Sequence, residues 1–135
     1  MRLDTDIKDK LILLLGACEI LGRAHVRILI KHNARLIIAG RPGSTVLEDA
    51  KLLGILGLKI DARDETSMIA GIGCASKQYG GLNSAIFNAA ITSEGLAAIG
   101  DPFHAFEDYP LALSKKAIDI HLTGAFCLHV RQERC

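Results

Sequence analysis

Residues 10–22 read Lys-Leu-Ile-Leu-Leu-Leu-Gly-Ala-Cys-Glu-Ile-Leu-Gly, an uninterrupted apolar run that stops at one glycine and meets a second at position 22. Every position from Leu11 to Leu15 is apolar. A half-exposed strand would alternate, so the run reads as a strand buried on both faces, the habit of parallel sheets. Residues 20 to 32 then place Leu21, Ala24 and Ile28 at helical spacing, with Arg23, Arg27 and Lys31 on another face. A buried strand, a glycine turn and an amphipathic helix open a β-α-β unit, and the rest of the chain is read outward from it.

The alternation continues. Leu36 to Ala39 is a second apolar run, punctuated by Gly40-Arg41-Pro42-Gly43, and Ser44 is expected to cap a helix over about 45–54. Leu58 to Asp61 is predicted as the third strand, and Asp64 as the cap of a helix over 65–79. Gly71 and Gly73 inside that helix each cost about 1 kcal/mol relative to Ala. Gly80-Gly81 stops it, and Leu82 to Phe87 is predicted as a fourth strand ending at Asn88. A long loop with Gly95, Gly100 and Pro102 leads to Pro110 and one helix over 112–131. With right-handed crossovers this order implies an α/β fold: a Rossmann-like parallel sheet of four strands with helices on both faces.

The 135 residues suit one domain, 1–135, on the prior of ~150 residues per domain. Half of them are hydrophobic, 23% are charged and the mean hydropathy is +0.28, a composition that supports a core and argues against disorder. Sixteen basic against fifteen acidic residues give a net charge of +1, and aromatic residues make up 4% with no Trp. Neither a basic patch nor stacking platforms for nucleic acid can be built from this. No apolar stretch approaches the ~18 residues of a membrane span, so the expected address is the cytoplasm. Leu15-Gly16-Ala17-Cys18 has the look of a lipoprotein cleavage box. Against that reading, Asp4, Asp6 and Asp9 offset Arg2, Lys8 and Lys10, and the apolar run falls short of the ~7 residues of a signal core.

Cys18, Cys74, Cys127 and Cys135 form none of the close pairs of zinc or redox motifs and read as small hydrophobes or bystanders in a reducing compartment. His25 with His32, and His121 with His129, share helical faces but lack a third ligand at sensible spacing, so no metal is expected. Lys115-Lys116 and Glu133-Arg134 read as solvated charges.

At the turn Leu15 to Gly22 the chain resembles the short-chain dehydrogenase/reductase family, whose turn is T-G-x-x-x-G-x-G. Gly16 and Gly22 match, while Leu15 replaces the Thr and Ile20 the middle Gly. Further matches fall in register. Ile60-Asp61-Ala62 resembles the family's acidic site beside the adenine. Gly80-Gly81-Leu82-Asn83 and Phe87-Asn88-Ala89-Ala90-Ile91 resemble its G-G-L-D and N-N-A-G-I. Ile118 to Phe126, containing Leu122-Thr123-Gly124, resembles its N-L-T-G helix. The series covers residues 7 to about 130.

The resemblance implies an NAD(P)-binding oxidoreductase domain, with hydride transfer between a nicotinamide and a carbonyl or alcohol carbon. It implies Gly16, Leu21, Gly22, Arg41, Asp61, Ala62, Asn88 and Ala89 as cofactor-binding residues. Arg41 follows the second strand and Gly40 holds the usual acidic place, which favours NADP(H) over NAD(H). Plainer readings stand beside these: glycines that serve packing alone, a solvated Arg41, a strand-end Asp61, and an Asn88 that bridges strands.

Several departures oppose the chemistry. Ile20 crowds the phosphate turn, and Glu19 adds a like charge that opposes binding by about 1 to 3 kcal/mol. The family's Tyr acts as general acid or base, with its pKa lowered by a Lys four residues on. Here Tyr79 is followed at that spacing by Asn83 and Tyr109 by Leu113, and His121 replaces the helix Asn. The sequence ends before the family's fifth strand and the helix that carries Ser, Tyr and Lys, so no catalytic residue is assigned. The outer edge of the fourth strand is expected to be covered by a second copy or a complementing chain. A non-catalytic remnant or partner-dependent binding module is the alternative. A flavodoxin-like or receiver-type domain also fits the alternation, but not the in-register series at Gly16, Asp61, Asn88 and Leu122-Thr123-Gly124.

Overall fold

The computed structural model describes residues 6–132. Four parallel strands, β1 (Leu11–Leu15), β2 (Arg35–Gly40), β3 (Leu56–Lys59) and β4 (Ser84–Phe87), form one sheet in the order β3-β2-β1-β4. The connecting helices are α1 (Ile20–Lys31), α2 (Val46–Leu53) and α3 (Glu65–Tyr79). After β4 come a short α4 (Ser93–Ala97), a 3-10 turn at Phe106–Asp108, and a long helical run made of α5 (Leu111–Ile118), a π-helical segment (Asp119–Gly124) and α6 (Ala125–Gln132).

Strand β1 is central, paired with β2 from Leu11↔Arg35 to Leu15↔Ala39 and with β4 from Ile12↔Ser84 to Leu15↔Phe87. Successive side chains point to opposite faces, and both faces are covered. Leu11, Leu13 and Leu15 pack with Ile37, Ile60, Met68, Ile72 and Leu128. Ile12 and Leu14 pack with Val26, Leu29, Ile38, Val46 and Ala50 on the side of α1 and α2. Burial on both sides explains why the run from Leu11 to Leu15 contains no polar residue. From β1 the chain moves one way to β2 and β3 and returns to the opposite side for β4, so the strand order reverses at the carboxyl ends of β1 and β4.

Boundaries shift from the expected ones for local reasons. Strand β3 lies at 56–59 rather than 58–61. Gly54 ends α2 in the left-handed region and Ile55 N–H donates back to Ala50, so the strand starts sooner. Ile60 N–H still donates to Gly40, but Asp61 N–H turns to Ser67 Oγ, which places Asp61 in the loop beyond the strand. Ser44 does not cap α2. Its hydroxyl donates to the Arg41 carbonyl (2.7 Å) and closes a turn, while Thr45 holds the cap position without capping a backbone N–H. Asp64 caps α3 as expected, accepting from Thr66 N–H at 2.9 Å.

Strand β4 begins at Ser84 rather than Leu82, since Asn83 instead clamps the start of β1: its N–H donates to Leu11 O, and its Oδ1 accepts from Leu11 N–H at 2.8 Å. The expected helix over 112–131 is three helical pieces with a π-helical middle, and the loop before it holds the short α4 and the 3-10 turn. Cys18 and Cys127 are half-buried beside the two cores, Cys74 is exposed, and Cys135 lies outside the described residues. Among the described residues no three His, Cys, Asp or Glu side chains group as metal ligands, and no helix is long and apolar enough to cross a membrane.

Leu13 is fully buried in the middle of β1. Leu13→Ala is expected to cost about 3 kcal/mol in a denaturant titration, and Leu52→Ala, on the exposed side of α2, less than about 0.5 kcal/mol.

Candidate functional site

Open parallel sheets bind ligands beyond the carboxyl ends of their strands, at the point where the strand order reverses. Here that point is the turn from Gly16 to Gly22 against the segment after β4. Gly16 takes φ +86°, a conformation that an L side chain adopts rarely. A Cβ there would stand 2.6 Å from the Ala89 nitrogen and 2.8 Å from the Asn88 carbonyl carbon. Gly22 sits against the same turn, where a Cβ would overlap the Gly16 carbonyl oxygen and approach Ala17 Cα to 2.8 Å. Helix α1 therefore starts directly over the end of β1.

Hydrogen bonds hold the turn from both sides. Gly16 N–H donates to Ala39 O at 2.8 Å, and Asn88 N–H donates to Leu15 O at 2.9 Å. Asn88 Nδ2 also donates to Gly16 O at 2.9 Å. The bridging role of Asn88 is thus present. Four of the eight expected residues, Gly16, Gly22, Asn88 and Ala89, meet at this one point.

The other four stand around it. Leu21 is 66% exposed at the start of α1, beside Ile20 at 89%. Helix α1 has no acidic residue in its first turn, and Glu19 at its N-cap makes no side-chain capping bond. Its first N–H groups, and the positive end of the helix dipole, are left for an anion. Arg41 is exposed past β2, and its guanidinium has no partner among the described residues. Asp61 and Ala62 lie in the loop after β3. Asp61 is already engaged: Arg63 Nε donates to Oδ1 at 3.0 Å and Nη2 to Oδ2 at 2.7 Å. The hydrogen bonds and charge of Arg63 hold the Asp61 carboxyl below its ordinary range, and Lys116 adds to the effect.

Two residues of the motif around 118–126 have contacts that the sequence did not reveal. His121 Nε2 accepts from Ile91 N–H at 2.9 Å, tying the segment after Asn88 to the π-helical run. The ring supplies the acceptor that an amide oxygen would, and no more. Gly124 is buried where that run crosses Ala62 and the Phe87 ring, and a Cβ would lie 2.7 Å from Ala62 O. Near the turn, burial pushes the Cys18 thiol above its ordinary range, against the lowering effect of hydrogen bonds with Thr45 and Ser44.

A family model described as short chain dehydrogenase matches residues 10–131. The chain belongs to this family. It is 26% identical over 120 residues to the mitochondrial borneol dehydrogenase of Lavandula x intermedia, covering 89% of this chain and 44% of that protein. It is 29% identical over 127 residues to the L-rhamnose 1-dehydrogenase (NAD(P)(+)) of Azotobacter vinelandii, covering 87% and 46%. The chain spans about half the length of the curated relatives it matches. Among solved structures, a short-chain dehydrogenase/reductase from Brucella melitensis superposes with a TM-score of 0.80 at 22% identity, covering 96% of this chain and 53% of that one. Fold and family are those of an NAD(P)-binding, oxidoreductase-like domain. The residues are compatible with the family's dinucleotide: the Gly16 turn packs against the Asn88 and Ala89 backbone, beside a helix start that no side chain caps.

Gly22→Ala is expected to cost at least about 2 kcal/mol through overpacking, on the order of 8 °C in melting midpoint. Asp61 stabilises the fold fully above its unfolded pKa, and this contribution fades as pH falls through its lower folded value. Asp61→Asn is therefore expected to melt below the wild type at pH 7, with the gap closing below about pH 4.

Proposed function

We propose that this chain is the nucleotide-binding half of an oxidoreductase that favours NADP(H) over NAD(H). The observation that carries the reading is the Gly16 turn, packed against Asn88 and Ala89 and bonded by the Asn88 amide, at a start of α1 that no side chain caps. Gly16, Leu21 and Gly22 would hold the pyrophosphate, Asn88 and Ala89 would line the side nearest the nicotinamide, and Asp61 with Ala62 would border the adenine. Arg41 would take the 2′-phosphate, for which its unpartnered guanidinium suits it. When bound, the nicotinamide would supply or accept a hydride from a carbonyl or alcohol carbon. Glu19 and the exposed Ile20 would weaken the grip on the phosphates, the first by charge and the second by bulk.

Turnover needs a proton donor that these residues do not provide, because no Tyr-x-x-x-Lys occurs in the 135 positions. We infer that further polypeptide, in the same chain or another, supplies it. Strand β4 is only half-covered, unlike the fully buried β1. Leu111, Ile118, Leu122 and Phe126, at spacings of seven, four and four, are exposed along the helical run. Both features suit a covering chain or a second copy. A second reading, a binding module without turnover, is favoured by the same missing Tyr and Lys together with Glu19 and Ile20.

The full chain is expected to melt several degrees higher in NADPH at a hundredfold over its Kd, which adds about 2.7 kcal/mol. Arg41→Ala is expected to reduce this shift for NADPH far more than for NADH. Equal losses for the two nucleotides would remove the 2′-phosphate assignment, and no shift with either would remove the nucleotide reading. Ile20→Gly is expected to tighten binding of both.

A further inference from the structure

Arg23, directly after Gly22, joins the turn after β1 to helix α2. Its Nε donates to the Cys18 carbonyl oxygen in the turn after β1 at 2.8 Å. Its Nη2 donates to Asp49 Oδ2 on α2 at 3.0 Å and reaches Thr45 Oγ1 at 3.4 Å. Thr45 Oγ1 in turn donates to the same Asp49 oxygen at 2.9 Å. Between these anchors runs the segment that carries Arg41, closed on itself by Ser44, whose N–H and hydroxyl both donate to Arg41 O.

An isolated exposed ion pair contributes little, and the Arg23 side chain is 52% exposed against 20% for Asp49. The arrangement differs from an isolated pair because one planar guanidinium serves a backbone carbonyl on one element and a carboxylate and hydroxyl on another. A lysine, a point charge on a flexible stem, cannot hold both directions at once. A second ion pair, Arg63 with Asp61, joins residues two apart in one loop. Arg23 with Asp49, by contrast, spans two elements of this edge.

We propose that Arg23 is a positioning residue that fixes the spacing between the glycine turn and the Arg41 loop, and through it the preference for a 2′-phosphorylated adenosine, without touching the nucleotide. This rests on the nucleotide reading above. The competing role, direct contact of Arg23 with the 2′-phosphate, makes the opposite prediction at Asp49, since neutralising the carboxylate would release the guanidinium to the ligand.

The test titrates the full chain by calorimetry with 2′,5′-ADP and with 5′-AMP, and follows amide hydrogen exchange without ligand. Arg23→Gln and Asp49→Asn are each expected to lower the ratio of the two affinities at least threefold. The double variant is expected to lose no more than either single one, as for members of one unit. Exchange at the Ala17 and Ser44 amides is expected to quicken at least fivefold in both variants, with the β1 amides unchanged. Tighter 2′,5′-ADP binding by Asp49→Asn would overturn the positioning role in favour of direct contact. Unchanged exchange and an unchanged ratio, with nucleotide binding intact, would overturn the brace alone. Failure of the wild type to bind either nucleotide would overturn the nucleotide reading and the selectivity role with it.

Discussion

The close seating of the Gly16–Gly22 turn on the end of β4 is the constraint from which the rest of this structure follows. Gly16 can lie against Asn88 and Ala89 only without a side chain, and Gly22 can lie against Gly16 only on the same condition. With both satisfied, α1 starts above β1 and Asn88 reaches the Gly16 carbonyl. The cost is a strand, β1, hemmed in on every side. It must therefore be apolar at each position, as Leu11 to Leu15 is.

That constraint also explains what was legible in the sequence. An unbroken apolar run with a glycine at its end has few other meanings, so β1, the parallel architecture and the place of the turn could be read directly. Asp64 was legible because a cap acts over two residues, and Asn88 because it follows a strand at a fixed remove. Features that depend on partners distant in the chain or on competing local bonds were not. Asp61 read either as an acidic residue beside the adenine or as a plain strand-end carboxylate, and neither reading included Arg63, which bonds both its oxygens from two residues away. Ser44 looked like a helix cap, but its hydroxyl is taken by the Arg41 turn. The roles of Arg23 and His121 required knowing that residues 26 and 30 positions away respectively come within hydrogen-bond reach.

The candidate site is held most tightly at its glycine turn. The glycine turn is held by backbone and amide bonds that a single surface substitution would not undo. The far side is tied through His121, whose Nε2 accepts from Ile91 N–H. Beyond it lie a half-covered β4 and a helical run with exposed Leu122 and Phe126. On the proposed function, binding and chemistry are separable in this chain: the glycine turn would hold a nucleotide, and a proton donor would come from further polypeptide.

The central claim is that the turn and the end of β4 form one nucleotide-receptive surface. The most direct check is amide chemical-shift mapping of the 135-residue chain titrated with NADPH. Shifts concentrated at residues 16–22, 41–44, 61–62 and 88–91 are the predicted result. Shifts confined to the opposite end of the sheet, where Leu11, Arg35, Leu53 and Tyr79 line a cavity of about 320 Å³, or no shifts at saturating NADPH, would contradict it.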